Sequence, residues 1–184
     1  MKEYSDRKST RFSDYDYNTC GGYFLTVCTK DRKNILSNIV GDGVLDVPRV
    51  DFWDSARVEL KKYGLIVERI INQLDDFYEN VSVDRYVIMP NHIHIVLFLR
   101  ESGQSGTPVP TSQNSVVSRF ISTLKRFCNK EIGENIFQRS YYDHVLRDKE
   151  DYEKHIKYIA ENPMRWFFDE LYPDNYDGLI MEVE

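Results

Sequence analysis

Cysteine is scarce in this sequence of 184 residues, and the few cysteines are not spaced as partners. Their number is odd, and no CxxC motif occurs. We therefore expect neither a disulfide framework nor a cysteine-based zinc site, and a reducing compartment is favoured. The three residues are Cys20, Cys28 and Cys128.

Long apolar runs are also missing. Residues 1–17 are polar and lack the apolar segment of a secretory signal. The most apolar stretch, residues 86–99, spans 14 positions and includes a proline, an asparagine and two histidines. It is too short and too polar to cross a bilayer. The sequence therefore predicts a soluble, cytoplasmic protein without a membrane partner.

Positive charge is absent from the end of the chain. Lysine and arginine number 24 against 30 acidic residues, which gives a net charge of −6. No basic residue follows Arg165, whereas six acidic residues do, so residues 1–165 carry no net charge. The acidity belongs to the segment 167–184 and does not exclude an anionic partner elsewhere. We expect this segment to pack against the domain; shielding of a basic surface is the alternative.

The length and the globular composition predict one domain, over residues 21–166. Residues 1–20 are polar and rich in tyrosine, which predicts an irregular arm, and residues 101–115 have the composition of a flexible connector. Between these segments, strand patterns cover 23–29, 81–89, 92–99 and 136–146, and helix patterns cover 60–78, 116–131 and 149–162.

The order of these elements favours an α+β fold. Residues 81–99 form a hairpin across Pro90 and Asn91, Ser115 and Asp148 are placed to cap the second and third helices, and Pro163 is placed to end the third. One antiparallel sheet with two helices on one face and an additional C-terminal helix satisfies the order. This is a ferredoxin-like sandwich.

Two of the four histidines lie on one predicted strand. His92 and His94 are two residues apart, so their side chains share a face of the sheet, whereas Ile93 points to the opposite layer. Adjacent imidazoles are a natural pair of metal ligands. A solvated face carrying two histidines is the alternative.

The third helix carries a tyrosine and an asparagine on one face. Tyr158 and Asn162 are four residues apart, and His155 lies one turn earlier. A phenol and a carboxamide can supply a nucleophile and an oxygen ligand. The alternative is structural, with Tyr158 half-buried and Asn162 capping the helix end.

Basic residues are concentrated on the second helix and around the strand that follows it. They suit the phosphate oxygens of nucleic acid, and a solvated helix face is the alternative. The candidates for DNA binding are Arg119, Arg126, Lys130, Arg139 and Arg147.

Several segments together resemble a known family. The run Tyr86–His94, which contains MPNHIH, resembles the signature of the single-tyrosine HUH transposases, in which HUH stands for histidine, hydrophobic residue, histidine. The runs Gln138–His144 and His155–Pro163 resemble segments of the REP-associated branch, as do Tyr15–Tyr17 and Gly22–Thr26. The matches occur in order across residues 11–166.

The resemblance implies the ferredoxin-like fold and a role for each candidate. His92, His94 and Asn162 would bind a divalent cation, Mg²⁺ or Mn²⁺, and Tyr158 would be the nucleophile. The implied function is a transposase that cleaves single-stranded DNA near hairpin-forming sequences through a 5′-phosphotyrosine intermediate. Relatives act as single or paired chains, which leaves a monomer or a homodimer.

Two other functions remain open at this point. The chain is a non-cleaving module that binds single-stranded DNA or RNA on the same fold, or it is a metal-dependent hydrolase that uses water. The hydrolase predicts cleavage without covalent capture. The presence of all four candidate residues, His92, His94, Tyr158 and Asn162, favours the transposase.

Overall fold

The computed structural model describes residues 19–40, 56–100 and 115–166. The strands are β1 (Gly21–Cys28), β2 (Ser37–Val40), β3 (Arg57–Leu60), β4 (Val81–Ile88), β5 (His92–Leu99) and β6 (Tyr142–Leu146), and the helices are α1 (Lys62–Phe77), α2 (Val116–Ile132) and α3 (Lys149–Arg165). The predicted acidic segment, the predicted connector except Ser115, and nearly all of the predicted arm lie outside the described residues.

Four strands form one antiparallel sheet in the order β4-β5-β1-β6. β4 and β5 form the predicted hairpin, and β1 pairs with both β5 and β6. With α1 between β1 and β4 and α2 between β5 and β6, the order along the chain is that of a ferredoxin-like sandwich. The predicted fold class is confirmed. β2 and β3 form a separate two-stranded sheet.

One face of the four-stranded sheet is apolar and is covered by α1 and α2. Alternate residues of β1 and β5 are fully buried there, and each of the two helices contributes a row of buried apolar side chains. Gly64 belongs to this packing, because a Cβ at that position would overlap the main-chain oxygen of Leu36. This glycine in the first turn of α1 therefore permits a close approach of the helix to the Leu36 segment. Buried members of this core include Leu25, Val67, Ile93, Ile95, Leu97 and Phe120.

The opposite face of the sheet carries α3. The strand residues that point to this face include Phe24 and Thr26 of β1, His92 and His94 of β5, and His144 of β6. Tyr152 on α3 donates a hydrogen bond to the Asp84 carboxylate of β4 at 2.9 Å, and its ring lies 5.8 Å from that of Phe98. These contacts hold the first turns of α3 against the β4-β5 side of the sheet.

Both predicted caps are present. The Ser115 hydroxyl accepts a hydrogen bond from the Ser118 amide, and the Asp148 carboxylate accepts one from the Asp151 amide. The side chains thus satisfy amides that have no partner inside the helix. Gly133, in a left-handed conformation, ends α2.

Some predicted boundaries were wrong. Pro163 does not end the third helix, which continues to Arg165. Proline here removes only one amide in the last turn, and Trp166 beyond it is buried against the sheet. Leu60 belongs to β3 rather than to α1, and only Tyr142–Leu146 of the predicted 136–146 strand is paired as one, with Phe137 forming an isolated bridge to Thr29.

Within the described ranges, no helix has both the length and the apolar character required to cross a bilayer.

Candidate active site

His92 and His94 lie side by side on β5, as their spacing predicted. Their ring centroids are 4.5 Å apart, and both side chains are buried. Ile93, between them, points into the apolar core on the other side of the sheet. Since β5 is an inner strand, its neighbours β4 and β1 limit where the two imidazoles can move.

The hydrogen bonds of His92 define which of its nitrogens carries the proton. Asn91 donates from its side-chain nitrogen to the main-chain oxygen of Arg32, so its side-chain oxygen faces Nδ1 of His92, at 2.9 Å. Nδ1 is therefore the donor. Burial, with the positive charge of Arg32 adding to the effect, lowers the pKa of His92 to about 3, which keeps the ring neutral. Nε2 then carries a lone pair.

His94 is oriented by residues of β1. The Thr26 hydroxyl lies 2.9 Å from Nδ1 of His94, across the β1-β5 pairing in which the two residues are direct partners. The Phe24 ring stacks on the imidazole, with centroids 5.0 Å apart. An oriented Nδ1 directs Nε2 away from the hydrogen-bonded side, which is the arrangement that supports a histidine as a metal ligand.

Helix α3 places the other candidates over the histidine pair. The Tyr158 ring lies 5.2 Å from that of His94, and the Trp166 ring lies 5.8 Å from that of His92. Asn162 is four residues from each and is buried, so the helical spacing places it between these contacts. Tyr158 is 38% exposed, so part of its side chain is accessible from solvent.

Phe24 connects the aromatic residues of this region. Its ring lies 4.6 Å from His155 and 6.1 Å from Tyr158, in addition to its stacking on His94. Sequence reasoning assigned no role in the site to Phe24, Thr26, Asn91 or Trp166. Asn91 is adjacent to His92 and was within reach of a local argument, whereas the contacts of Phe24 and Thr26 depend on strand register.

The donor set fits a divalent cation. Nε2 of His92 is buried and makes no hydrogen bond within the described part of the chain. A neutral imidazole with that nitrogen unprotonated is the form that ligates metal. Two imidazoles and a carboxamide oxygen are ligands typical of borderline divalent ions. Leaving such a nitrogen buried and unused is otherwise costly.

Three of the five predicted DNA-binding residues line one open groove between α2 and the segment before β6. Its volume is about 910 Å³, and its cationic residues are Lys125, Arg126, Lys130 and Arg139. Arg119 and Arg147 are exposed but do not line this groove. The structure thus brings together Arg126, Lys130 and Arg139 and leaves the other two apart.

Lys125 was missed, because sequence reasoning selected a stripe of residues seven and four apart. Its ammonium group donates to the main-chain oxygens of Gln138, Arg139 and Ser140, at 2.9, 3.3 and 2.9 Å. These bonds hold the 138–140 segment against α2 and so position Arg139 on the groove. The contact joins residues 13 to 15 positions apart and has no local sequence signal.

Comparisons with known proteins agree with this architecture. No protein-family profile matches the chain. An uncharacterised protein of Haemophilus influenzae is 30% identical over 184 residues, and the alignment covers 91% of this chain and 94% of that one. The REP-associated tyrosine transposase of Escherichia coli is 26% identical over 84 residues, covering 46% of this chain and 45% of that protein.

A solved structure has the same fold. It is a REP-associated tyrosine transposase bound to a REP hairpin, and it superposes with a TM-score of 0.54 over 92% of this chain and 76% of that one. The sequence identity is 19%, so the likeness concerns the arrangement of helices and strands.

Proposed function

We propose that the chain is a REP-associated tyrosine transposase, like the relatives and the solved structure to which it is similar, and that it cleaves and rejoins single-stranded DNA near hairpin-forming sequences. Tyr158 is the nucleophile in this proposal, and His92, His94 and Asn162 are the ligands of a divalent cation. The observation that carries it is the packing of an accessible Tyr158 ring against His94 of the histidine pair, with Asn162 on the same helix face.

The chemistry is a transesterification. The Tyr158 oxygen attacks phosphorus, the bond from phosphorus to the 3′ oxygen breaks, and the phenolic proton is lost while the departing oxygen gains one. The products are a 5′-phosphotyrosine and a free 3′ hydroxyl. Attack of a 3′ hydroxyl on this link rejoins DNA and restores the phenol. The number of phosphodiester bonds is conserved, so no nucleotide cofactor is required.

When bound, the cation would neutralise the charge of the phosphate and orient the scissile group. The protein contributes the rest. Thr26 and Asn91 hold the imidazoles, Phe24 restricts both His94 and Tyr158, and the docking of α3 brings the phenol to the histidine pair. Preorganisation of this kind can account for several kcal/mol of a barrier. Mg²⁺ and Mn²⁺ both remain candidates.

The nucleophile acts in cis in this proposal, because α3 packs on the sheet of its own chain. Sedimentation at micromolar concentration tests it: a monomer that forms the covalent adduct supports action in cis, and activity restricted to a dimer contradicts it. A cytoplasmic location, which gives access to cellular DNA, belongs to the same proposal.

Covalent capture tests the central claim. Labelled hairpin DNA with randomised single-stranded flanks is incubated with the full chain and Mn²⁺ or Mg²⁺, then separated on a denaturing gel. We expect an adduct that is absent with chelator and with Tyr158→Phe, and that persists with Tyr142→Phe, which removes the hydroxyl of another exposed tyrosine. Binding without adduct or cleavage would instead indicate a non-cleaving module, and cleavage that survives Tyr158→Phe would indicate activated water.

The cationic groove is the proposed site for the DNA backbone. Neutralising Arg126 or Lys130 with glutamine should weaken binding to all sequences and reduce the salt slope of log K by about 1 for each phosphate that the protein no longer neutralises. Lys62→Gln, an exposed lysine at the start of α1 outside the groove, is the matched control. An unchanged slope in both groove variants would place the backbone elsewhere.

A further inference from the structure

A second group of ligand-type side chains lies on the same face of the sheet. It consists of His144 on β6 and Asp151 and His155 on α3, and we refer to it as the His144 cluster. Nε2 of His144 lies 2.8 Å from one carboxylate oxygen of Asp151, and Nδ1 of His155 lies 3.2 Å from the other. One ligand atom from each residue falls within 4.8 Å of the other two.

The fold builds this cluster from three independent features. The β1-β6 register places His144 opposite Phe24, on the face that α3 covers. Asp151 stands in the first turn of α3, where its amide is held by the Asp148 cap. Asp151 and His155 are four residues apart, the spacing at which two helical side chains face the same ligand. The rings of His144 and His155 stack, with centroids 4.6 Å apart.

Asp151 is ionised in this setting. Burial alone would raise the pKa of its carboxyl group, but hydrogen bonds from His144 and from the Arg147 amide outweigh it and lower that pKa. The carboxylate therefore presents negative charge between two imidazoles. The side chains of the three residues are 40%, 20% and 17% exposed, in chain order, so an ion and its remaining water ligands can reach them.

We propose that the His144 cluster binds a divalent first-row transition cation, such as Zn²⁺, through His144 Nε2, the Asp151 carboxylate and His155 Nδ1. Two imidazoles and one carboxylate are a usual protein donor set for such ions. Nδ1 of His155 also lies 2.7 Å from the main-chain oxygen of Asp151, where it donates its proton. Ion binding at this nitrogen requires the other neutral tautomer, in which the proton lies on Nε2 and Nδ1 presents its lone pair to the ion.

The proposed ion differs from the one at the histidine pair. Phe24 stands between the two groups, packing on His94 on one side and on His155 on the other. The proposal does not depend on the cleavage activity. Its consequence is structural: a bound ion connects β6 to the helix that carries Tyr158, and because it binds the folded state, it should raise the thermal midpoint.

Metal titration of the full chain tests this proposal. Chelator-stripped protein is titrated with Co²⁺, followed by visible absorption, and with Zn²⁺, followed by calorimetry. We expect two equivalents for the natural sequence and one for His144→Gln or Asp151→Asn. Glu150→Gln removes an exposed carboxylate from the same helical turn and should still bind two equivalents of metal. The thermal midpoint should rise with Zn²⁺ by a few degrees, and a smaller rise is expected for His144→Gln.

A double variant, His92→Gln with His94→Gln, separates the two sites. It should retain the equivalent bound by the His144 cluster. If the natural sequence binds one ion and His144→Gln binds none, the His144 cluster is a metal site and the histidine pair does not bind a cation. If His144→Gln and Asp151→Asn bind as much metal as the natural sequence with unchanged affinity, the proposal is wrong. His144 is partly exposed on an edge strand, so its variant should fold even if that of Asp151 does not.

Discussion

The two faces of β5 bury side chains of opposite character. On the face covered by α1 and α2, Ile93, Ile95 and Leu97 are fully buried among apolar neighbours. On the face covered by α3, His92 and His94 are buried to the same degree but are polar. Burial of the apolar side chains contributes about 1.5–3 kcal/mol per side chain to stability. Burial of the two polar imidazoles carries a desolvation penalty that hydrogen bonds only partly offset.

The difference indicates what each face is for. The low pKa of His92 reflects the penalty of placing a charged imidazole there, and Asn91 and Thr26 hold the two rings in fixed orientations. A sheet selected for stability alone would gain from apolar residues at these positions. Residues on the face covered by α3 are therefore expected to determine activity with little effect on stability. Residues on the face covered by α1 and α2 are expected to determine stability with little effect on activity.

The largest effect is expected for His94→Gln. Glutamine has similar volume and keeps a polar group near Thr26, but it lacks the imidazole nitrogen of the proposed cation site. The rate of adduct formation should fall by at least about 10³-fold, in line with the several kcal/mol that a cation supplies to a phosphoryl transition state. The midpoint of urea unfolding should change little. A large loss of stability with activity retained per folded molecule would reverse the roles of the two faces.

Ile95→Ala is the counterpart on the apolar face, one residue further along β5. Removing a fully buried isoleucine side chain should lower the free energy of unfolding by about 2–5 kcal/mol. Urea unfolding monitored by circular dichroism measures this loss. The fraction that remains folded should still form the adduct at close to the natural rate; a rate that falls as steeply as in His94→Gln would show that the two faces are coupled.

Local patterns predicted the parts of the site that depend on one element. The shared face of His92 and His94 follows from the period of a strand, and the shared face of Tyr158 and Asn162 follows from the period of a helix. The caps at Ser115 and Asp148 were also predicted, because a capping side chain acts within three residues of its own position. The order of elements then restricted the topology to the observed fold.

Contacts between distant elements were not predictable from the chain alone. Thr26 and His94 are 68 residues apart and meet only because β1 pairs with β5 in one register. His144 comes beside His155 only because β6 lies next to β1 and α3 folds back over both. Pro163 was assigned by a local rule that the buried Trp166 overrides.

Thr26→Val tests the orientation of His94 with an intermediate effect. Valine has the shape of threonine but cannot hydrogen-bond Nδ1, so the imidazole loses its fixed orientation. Loss of such a supporting bond typically costs 10–100-fold in metal affinity or activity. We expect a decrease of that size in the rate of adduct formation and in Mn²⁺ affinity. Thr26→Ser keeps the hydroxyl and should restore most of both; failure of serine to do so would assign the effect to packing.

The smallest effect is expected for Ser115→Ala, at the start of the helix that covers the apolar face. The Ser115 hydroxyl accepts a hydrogen bond from the Ser118 amide and also lies 2.9 Å from the Ser118 hydroxyl. Loss of the cap should lower the free energy of unfolding by about 1 kcal/mol. Ser140→Ala, an exposed serine outside any helix, should change it by less than about 0.5 kcal/mol. Adduct formation should be unchanged in both. A tenfold decrease in Ser115→Ala would mean that α2 transmits its position through the sheet to the histidine pair, and the functional separation of the two faces would not hold.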